Sequence, residues 1–284
     1  AFLLYRYGKR IADADMMGLG AYFNAEENEA RKGGGDSIAR VLPALLLRDE
    51  LTGVKPYQPL PRDAWLPEIQ VVTARDKMGS SEGFYVAAKG GHNQESHNHN
   101  DVGHYIVYID GAPVIIDAGV GPYTGKTFSS KRYDIWTMQS AYHSLPTIDG
   151  VMQSNGLEFA ARDASCETGE EETAFSVDIA GAYPSEANLK TWLRTVTLER
   201  GQAVRIEDGY VLSQPVKKIQ MSLLTPCVVN VSSGRIELTK RDLSEDRSSG
   251  EACIHYDTDV MTVGVEKIVL EDGKTQRYWG DELS

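Results

Sequence analysis

Four of the six histidines in the chain fall within thirteen consecutive residues: His92, His97, His99 and His104. Residues two apart in an extended segment point the same way, so His97, His99 and Asp101 would share one face. Such a face can place a metal ligand beside a second imidazole, or hold two ligands. The alternative is a polar loop whose histidines have no shared role.

Two further residues extend this constellation. Asp117 ends an apolar run at 114–116, where a carboxylate costs free energy unless it is paired or bound to a metal. His143 lies just before another strand-like run. Two histidines and one aspartate make a reasonable zinc set, although the spacing matches no short zinc signature.

The turn at Asp110-Gly111 decides whether Asp117 can reach His99. In a simple two-residue hairpin, residue 117 would face residue 104, and Asp117 would lie on the opposite sheet face from His99. A one-residue bulge brings Asp117 round to the other face. We therefore predict a bulge at Gly111, or equivalent irregular backbone near 98–103.

A basic and aromatic stretch follows. Between Asp117 and Asp134 the chain has no acidic residue but carries three cations: Lys126, Lys131 and Arg132. Aromatic residues are interleaved with them: Tyr123, Tyr133 and Trp136. Cations can pair with carboxylates or sulfates and rings can stack on sugar faces, so the stretch suits an acidic sugar. A solvated polar loop is the alternative.

The pattern of apolar residues along the chain changes near residue 60. Apolar clusters among the first 60 residues suit helices, with a break at 33–35, a capping Asp36 and a kink or restart at Pro43. Three prolines then mark a boundary: Pro56, Pro59 and Pro61. We expect a helical segment at 1–62.

From Leu66 onward, short runs with period two predict strands. The runs include 69–73, 83–87, 105–109, 114–116, 192–198, 204–206, 221–224, 235–238 and 260–263. Asp-Gly pairs at 110–111, 149–150, 208–209 and 272–273 predict hairpin turns. Segments 163–173 and 240–251 read as exposed loops. We therefore predict a mainly β chain, with a large antiparallel β-sandwich of stacked sheets over 63–284.

Composition and charge restrict the function. The 284 residues are 41% hydrophobic and 25% charged, as in ordinary globular proteins. No apolar stretch is long enough for a membrane span. The net charge of -12 argues against nucleic acid and anionic membrane surfaces as partners. The three cysteines, Cys166, Cys227 and Cys253, allow one disulfide at most.

These motifs together resemble the heparinase II/III-like family of polysaccharide lyases. The resemblance covers about Gly83 to Gln153 and rests on several motifs in order: Lys89-Gly90-Gly91, the run from His97 to Gly103, Ile116 to Gly119, Arg132-Tyr133, Tyr142-His143 and Ile148 to Gly150. It implies an N-terminal α/α toroid joined to a C-terminal stack of antiparallel sheets. Residues 1–62 would then be the tail of the toroid. The resemblance also implies a periplasmic or secreted protein.

The resemblance assigns roles to individual residues. It makes His97 the histidine that faces the substrate, and it makes His99, Asp117 and His143 the ligands of a zinc ion that holds the cleft in shape. Tyr133 matches a substrate-contacting, catalytic tyrosine, and Tyr123 is a weaker match. The family's toroid tyrosine has no counterpart here, so the chain would hold half of an active site.

The resulting hypothesis is β-elimination on a uronate-containing polysaccharide, such as a heparan-like glycosaminoglycan or alginate. His97 would neutralise the carboxylate or transfer a proton, and Tyr133 would transfer a proton or bind substrate. Weaker candidates for substrate contact are Tyr123, Lys126, Lys131, Arg132 and, at the rim, His92. His104 is expected inside the sheet. Two alternatives are a non-catalytic carbohydrate-binding β-sandwich and a metal-dependent glycan hydrolase.

Overall fold

The computed structural model describes residues 1–30, 38–244 and 246–284. The chain forms two compact units. One comprises Ala1–Pro61 and Met78–Ser80, and the other comprises Arg62–Lys77 and Ser81–Ser284. The expected glycine break at 33–35 and the cap at Asp36 lie outside the described residues.

The first unit is helical. Its helices are α1 (Phe2–Ile11), α2 (Ala14–Ala30), α3 (Ile38–Leu46) and α4 (Arg48–Thr52). A small core forms where Tyr5, Ala21 and Leu51 are buried together. Pro43 lies inside α3, which continues to Leu46 before a new helix begins at Arg48. No helix among the described residues is both long and apolar enough to cross a membrane.

The second unit is built from antiparallel strands. The first strands are β1 (Asp63–Leu66), β2 (Val71–Arg75), β3 (Phe84–Lys89), β4 (His92–Asn93), β5 (Tyr105–Ile109), β6 (Ala112–Ile115), β7 (Pro146–Ile148), β8 (Gly156–Ala160), β9 (Arg162–Thr168), β10 (Glu172–Asp178), β11 (Leu189–Glu199) and β12 (Ala203–Leu212). A five-stranded sheet has the order β1-β2-β3-β5-β6, and a four-stranded sheet has the order β12-β11-β10-β9. The predicted stack of antiparallel sheets is confirmed.

The main core contains apolar side chains from both sheets. Alternate residues along β3 and β10 are buried, as the period-two pattern requires. Val86 and Ala88 of β3 share this core with Phe175 and Val177 of β10. Burying one such valine or phenylalanine contributes roughly 1.5–3 kcal/mol, so this interior anchors the loops at its edge.

The rest of the unit consists of smaller elements. They are β13 (Ile219–Met221), β14 (Val228–Ser232), β15 (Arg235–Thr239), β16 (Asp242–Ser244), β17 (Arg247–Ser248), β18 (Ala252–His255), β19 (Ile268–Val269), α5 (Gly273–Trp279) and β20 (Glu282–Leu283). A second core includes Ile116, Leu224 and Trp279. The Trp279 indole donates to the Ala118 carbonyl at 3.0 Å, which ties α5 to the chain just after Asp117. The three cysteines are free thiols in the described chain.

Two of the predicted Asp-Gly turns form and two do not. Asp110-Gly111 joins β5 to β6, and Asp149-Gly150 turns the chain between the bridged residues 148 and 151. Asp208-Gly209 lies inside β12, because the Asp208 carboxylate is held there by Arg194. Asp272 caps α5, because its carboxylate accepts the first backbone N–H groups of that helix.

Four further expectations are wrong. In the run 221–224 only Met221 lies in a strand. Segment 163–173 is not a loop but the β9-β10 hairpin, and 240–251 contains β16 and β17. The run 260–263 is not a strand, because it lies in a turn and in irregular backbone. Alternating sequence alone does not secure a strand that has no neighbour to pair with.

Candidate active site and metal centre

The hairpin β5-β6 carries the bulge on which the site depends. Residue 109 pairs with 112 and 108 pairs with 113, around a two-residue turn in which Asp110 and Gly111 have φ of 52° and 75°. Residue 107 then pairs with 115, so Val114 is the extra residue. The predicted bulge therefore exists, but it lies at Val114 rather than at Gly111. Because of this extra residue, Asp117 lies on the opposite face of the hairpin from the one that a regular register would give.

The histidine-rich segment is not extended. Residues 94–104 form irregular backbone between β4 and β5, and His97 has a positive φ of 61°. As a result, His97, His99 and Asp101 do not share one face. His97 is exposed, His99 approaches Asp117, and Asp101 pairs with the Lys89 ammonium at 2.6 Å.

His99, Asp117 and His143 converge. Each offers one ligand atom, and these atoms lie within 4.8 Å of one another. His143 follows a chain of short 3-10 helices at Lys126–Phe128, Arg132–Asp134, Trp136–Met138 and Ser140–Tyr142. Its Nδ1 atom lies 3.3 Å from Oδ2 of Asp117, whose Oδ1 accepts the Gly119 backbone N–H. Three distant parts of the sequence thus meet at one point.

The residues fit a metal ion. Both ring nitrogens of His143 are buried and have no hydrogen-bond partner among the described residues. Unpaired buried polar atoms are costly, and metal ligation would satisfy one of these two. Two imidazoles and one carboxylate are donors that zinc commonly takes. The donor set is therefore compatible with zinc, whose presence stays a prediction.

Electrostatics favour the ligand forms of Asp117 and His99. Burial opposes the ionisation of Asp117, but the surrounding histidines, His143 foremost, hold its pKa well below the ordinary value. Burial lowers the pKa of His99, which keeps its imidazole neutral. For His143 burial acts in the same direction, but Asp117 outweighs it and raises the pKa. A proton on His143 would therefore compete with a metal ion.

His104 belongs beside this cluster. The sequence placed it inside the sheet, but it lies just before β5, with Nε2 3.8 Å from Oδ2 of Asp117. Its Nδ1 accepts the Ser144 backbone N–H at 2.9 Å, so Nε2 carries the hydrogen of the neutral ring. Burial lowers the pKa of His104 to about 4. The neutral ring thus turns an N–H toward the carboxylate, at a distance too long for a hydrogen bond. Strand periodicity did not predict this role, because the backbone before β5 is irregular.

Gln153 fixes the loop that bears His99. Its Oε1 accepts the Val102 backbone N–H at 3.1 Å, and its Nε2 donates to the Val102 carbonyl at 2.7 Å. Its backbone carbonyl accepts from Asn100, and its backbone N–H donates to the Ser140 hydroxyl. A buried amide thereby joins the loop to the 3-10 helix that precedes His143.

Arg194 anchors the same region from the four-stranded sheet. Its guanidinium is fully buried and donates through Nη1 to the carbonyls of Gly103, at 3.0 Å, and Ser144. Gly103 directly precedes His104, and Ser144 directly follows His143. The sandwich core therefore positions two histidines of the site.

A cavity of about 400 Å³ opens beside residues 93–98, which directly precede His99 in the sequence. Its lining residues are Asn93, Gln94, Glu95, Ser96, His97, Asn98, Phe128, Arg132, Tyr133, Asn155 and Gly156. His97 and Tyr133, the two residues expected to do chemistry, thus face one space. Arg132 is fixed at its wall, because Nε donates to the Asn98 carbonyl and Nη1 donates to the Thr127 carbonyl, both at 3.0 Å.

The other residues predicted to contact substrate do not line this cavity. Tyr123 is next to it, with its hydroxyl 3.5 Å from Nδ1 of His97. Lys126 turns toward Asp134, whose carbonyl lies 3.3 Å from Nζ. Lys131 is exposed, and His92 lies at the rim with Nε2 3.4 Å from Glu95.

Sequence reasoning missed several lining residues. Phe128 is 70% exposed and its ring lies 5.6 Å from that of Tyr123. It stands within the basic and aromatic stretch, so the same interleaving could have indicated it. Asn98 and Glu95 carried no comparable signal, because their positions depend on the irregular loop.

Comparison with known proteins identifies the family and the fold of this chain. The family model "Heparinase II/III-like, C-terminal" matches residues 60–267. The solved structure of heparan sulfate lyase HepC from Pedobacter heparinus has a TM-score of 0.54 and 22% identity, over 74% of this chain and 34% of that chain. The heparinase III-BT4657 gene product has a TM-score of 0.53 and 15% identity, over 70% of this chain and 30% of that chain.

These structural likenesses concern the fold. The chain spans about a third of the length of the solved structures that it matches. A sequence comparison with curated proteins gave no match. The family match covers most of the chain, including every residue of the candidate site. The chain therefore belongs to the heparinase II/III-like family and contains its C-terminal domain.

Proposed function

We propose that this chain supplies the sheet-domain side of an active site that cleaves uronate-containing polysaccharide by β-elimination. The observation that carries the proposal is that His97 and Tyr133, far apart in sequence, line one cavity. Family membership supports the reaction class. The substrate is an acidic polysaccharide or oligosaccharide.

The reaction needs three operations on the substrate. The uronate carboxylate is neutralised so that the C5 proton becomes acidic. A base removes that proton, and its electron pair forms the C4=C5 double bond as the C4–O4 bond breaks. An acid then protonates the departing O4. Groups positioned for such proton transfers contribute typically 10²–10⁴-fold to the rate.

His97 and Tyr133 suit these operations. We assign His97 to carboxylate neutralisation or proton transfer, since its exposed imidazole lines the cavity. Tyr133 has its hydroxyl near the loop that bears His97, and we assign it to proton transfer or substrate binding. Arg132 places a fixed positive charge at the same wall, where it would favour a substrate anion.

His99, Asp117 and His143 would hold the zinc ion. When bound, zinc supplies a rigid cross-link between chain segments and a Lewis acid. These residues lie on three separate segments: the loop that carries His97, the chain just after β6, and the chain just after the last 3-10 helix before β7. Zinc at this position would therefore keep the cavity wall in shape.

The proposal concerns a longer protein. The chain corresponds to about a third of the lyases that it resembles, and the expected partner is the N-terminal toroid of the same protein. We propose a periplasmic or secreted location for that protein, as the family resemblance implies.

The test is an assay of the longest natural protein that contains this chain on heparan sulfate, alginate and other uronate polymers. The proposal predicts ultraviolet absorbance from the new double bond, and loss of most activity in His97→Ala and Tyr133→Phe. His255→Ala, an exposed histidine on β18, is the matched control and should keep full activity. Reducing ends without absorbance would support a hydrolase instead, and binding without cleavage would support a carbohydrate-binding module.

A further inference from the structure

Asn98 has an amide whose orientation is set by its neighbours. Its Oδ1 accepts the Glu95 backbone N–H at 3.2 Å, so the NH₂ group must point the other way. That group donates to the Tyr133 hydroxyl oxygen at 3.1 Å and to Oδ1 of Asn100 at 3.3 Å. Tyr133 is therefore the acceptor in its contact with Asn98.

The backbone of Asn98 is held as firmly as its side chain. Its carbonyl accepts Nε of Arg132 at 3.0 Å, and its N–H donates to the Glu95 carbonyl at 3.2 Å. Only 6% of Asn98 is exposed. It directly follows His97, whose left-handed backbone costs free energy that the surroundings must offset. One residue thus links the turn at His97 with the 3-10 helix that bears Tyr133.

This hydrogen-bond direction matters for proton transfer. A hydroxyl has one hydrogen to donate, and because Asn98 supplies the donor in their contact, the hydrogen of Tyr133 stays free for the cavity. If Tyr133 loses that proton, the amide N–H still faces the oxygen, and the bond becomes charge-assisted and stronger. An acceptor in place of the amide would instead draw the hydroxyl hydrogen away from the cavity.

We propose that Asn98 is a positioning residue that orients the Tyr133 hydroxyl for proton transfer to or from the substrate. This inference rests on the proposed elimination reaction, in which Tyr133 touches the substrate. The alternative is an amide that serves only the loop and does not affect Tyr133.

The first test needs no substrate and uses the present chain. The Asn98 side-chain NH₂ signals are identified in a nitrogen-15 correlation spectrum by their loss in Asn98→Ala. The proposal predicts that they shift in Tyr133→Phe and stay in place in Tyr123→Phe. Tyr123 is the matched control, because its hydroxyl contacts His97 instead. Signals that are unmoved in Tyr133→Phe would overturn the proposal.

The second test uses the longest natural protein. Asn98→Asp keeps the shape but replaces the donor with an acceptor, so kcat should fall roughly 10- to 100-fold. KM should change less than about threefold, because the lost interaction acts in the transition state. Asn98→Ala should also lower kcat. This variant adds no charge, so its effect separates loss of the donor from the charge that Asn98→Asp introduces.

A double-mutant cycle separates positioning from a loop defect. In the Tyr133→Phe background, Asn98→Asp should cost less than about twofold further, because the hydroxyl it acts through is absent. An equal loss in both backgrounds would overturn the proposal. If no uronate polymer yields an elimination product, the proposed function fails, while the spectroscopic test still decides the contact between Asn98 and Tyr133.

Discussion

Nδ1 of His143 lies 3.3 Å from Oδ2 of Asp117, yet this contact lacks hydrogen-bond geometry and both ring nitrogens of His143 have no partner among the described residues. Buried imidazoles normally bond through at least one nitrogen. With His99 at the same point, the arrangement resembles a set of metal ligands more closely than a histidine-aspartate hydrogen bond. This relationship supports the zinc proposal independently of the family match.

The chain should bind about one equivalent of zinc, as expected for one His₂Asp site. His99→Ala and Asp117→Ala should each lose most of it, because each removes one of three protein ligands. His92→Ala is the matched control and should retain the metal, since His92 contacts Glu95 at the rim instead. Elemental analysis of the purified variants measures this. Equal zinc in all three variants would contradict the ligand assignment.

Arg194→Met should destabilise the chain by roughly 3–5 kcal/mol, because the Asp208 carboxylate loses its charged partner and keeps only the Trp192 indole N–H. The carbonyls of Gly103 and Ser144 would also lose their donor. Arg205→Met is the control on the same sheet. Arg205 is half exposed in its pair with Glu199, so the loss should stay below about 1 kcal/mol.

Urea denaturation of the two arginine variants gives these free energies. The lower free energy of unfolding in Arg194→Met should be accompanied by weaker metal binding, because Arg194 holds the backbone beside two histidines of the site. Equal stability of the two variants would show that the buried arginine does not anchor this region.

Alkaline pH should weaken the fold through Tyr105. Burial raises its pKa to about 12, whereas the unfolded chain ionises near the ordinary value of about 10. The unfolded state therefore releases its proton first, and stability falls as pH rises from about 10 to about 12, by about 3 kcal/mol for this group. Tyr105→Phe should lose less stability over this range than the wild type.

Urea denaturation at about pH 9 and about pH 11 makes the comparison between wild type and variant. Tyr278→Phe, at an exposed tyrosine of α5, is the control and should follow the wild type. Identical alkaline losses in Tyr105→Phe and wild type would refute the role of this buried phenol.

Phe128→Ala should raise KM roughly fivefold and leave kcat within about twofold, because an exposed ring at the cavity wall contributes about 1 kcal/mol by stacking on a sugar. Phe128→Tyr should keep the wild-type KM. Val231→Ala, at an exposed residue of β14 outside the described lining, is the control. Steady-state kinetics on the active polymer tests this, and an unchanged KM in Phe128→Ala would exclude a stacking role.

The fold was largely predictable, because alternation of apolar residues follows from the geometry of a half-buried strand. The failures occurred where tertiary contacts override local turn preference. Asp208 has a turn-forming neighbour, but its carboxylate is bound by Arg194 within a strand. Asp272 has the same neighbour and caps a helix instead. An Asp-Gly pair can form a hairpin turn, but the contacts of the aspartate in the folded chain determine whether that turn forms.

For the site, the family resemblance named His99, Asp117 and His143 as one ligand set, and their convergence depends on one bulge. The bulge occurs at Val114, where no local signal marks it. His104 and Asn98 could not be assigned roles, because both lie in or beside the irregular backbone between β4 and β5. Strand periodicity does not apply to such a segment.

Cleavage of the active polymer in heavy-oxygen water distinguishes elimination from hydrolysis. Elimination adds no water across the broken bond, so each cleavage should leave one double bond at the new non-reducing end, with no solvent oxygen beyond slow exchange at the free anomeric carbon. Mass spectrometry of the fragments from the active uronate polymer measures both features. Fragments with no double bond and with one solvent-derived oxygen per cleaved bond would rule out elimination and identify a hydrolase.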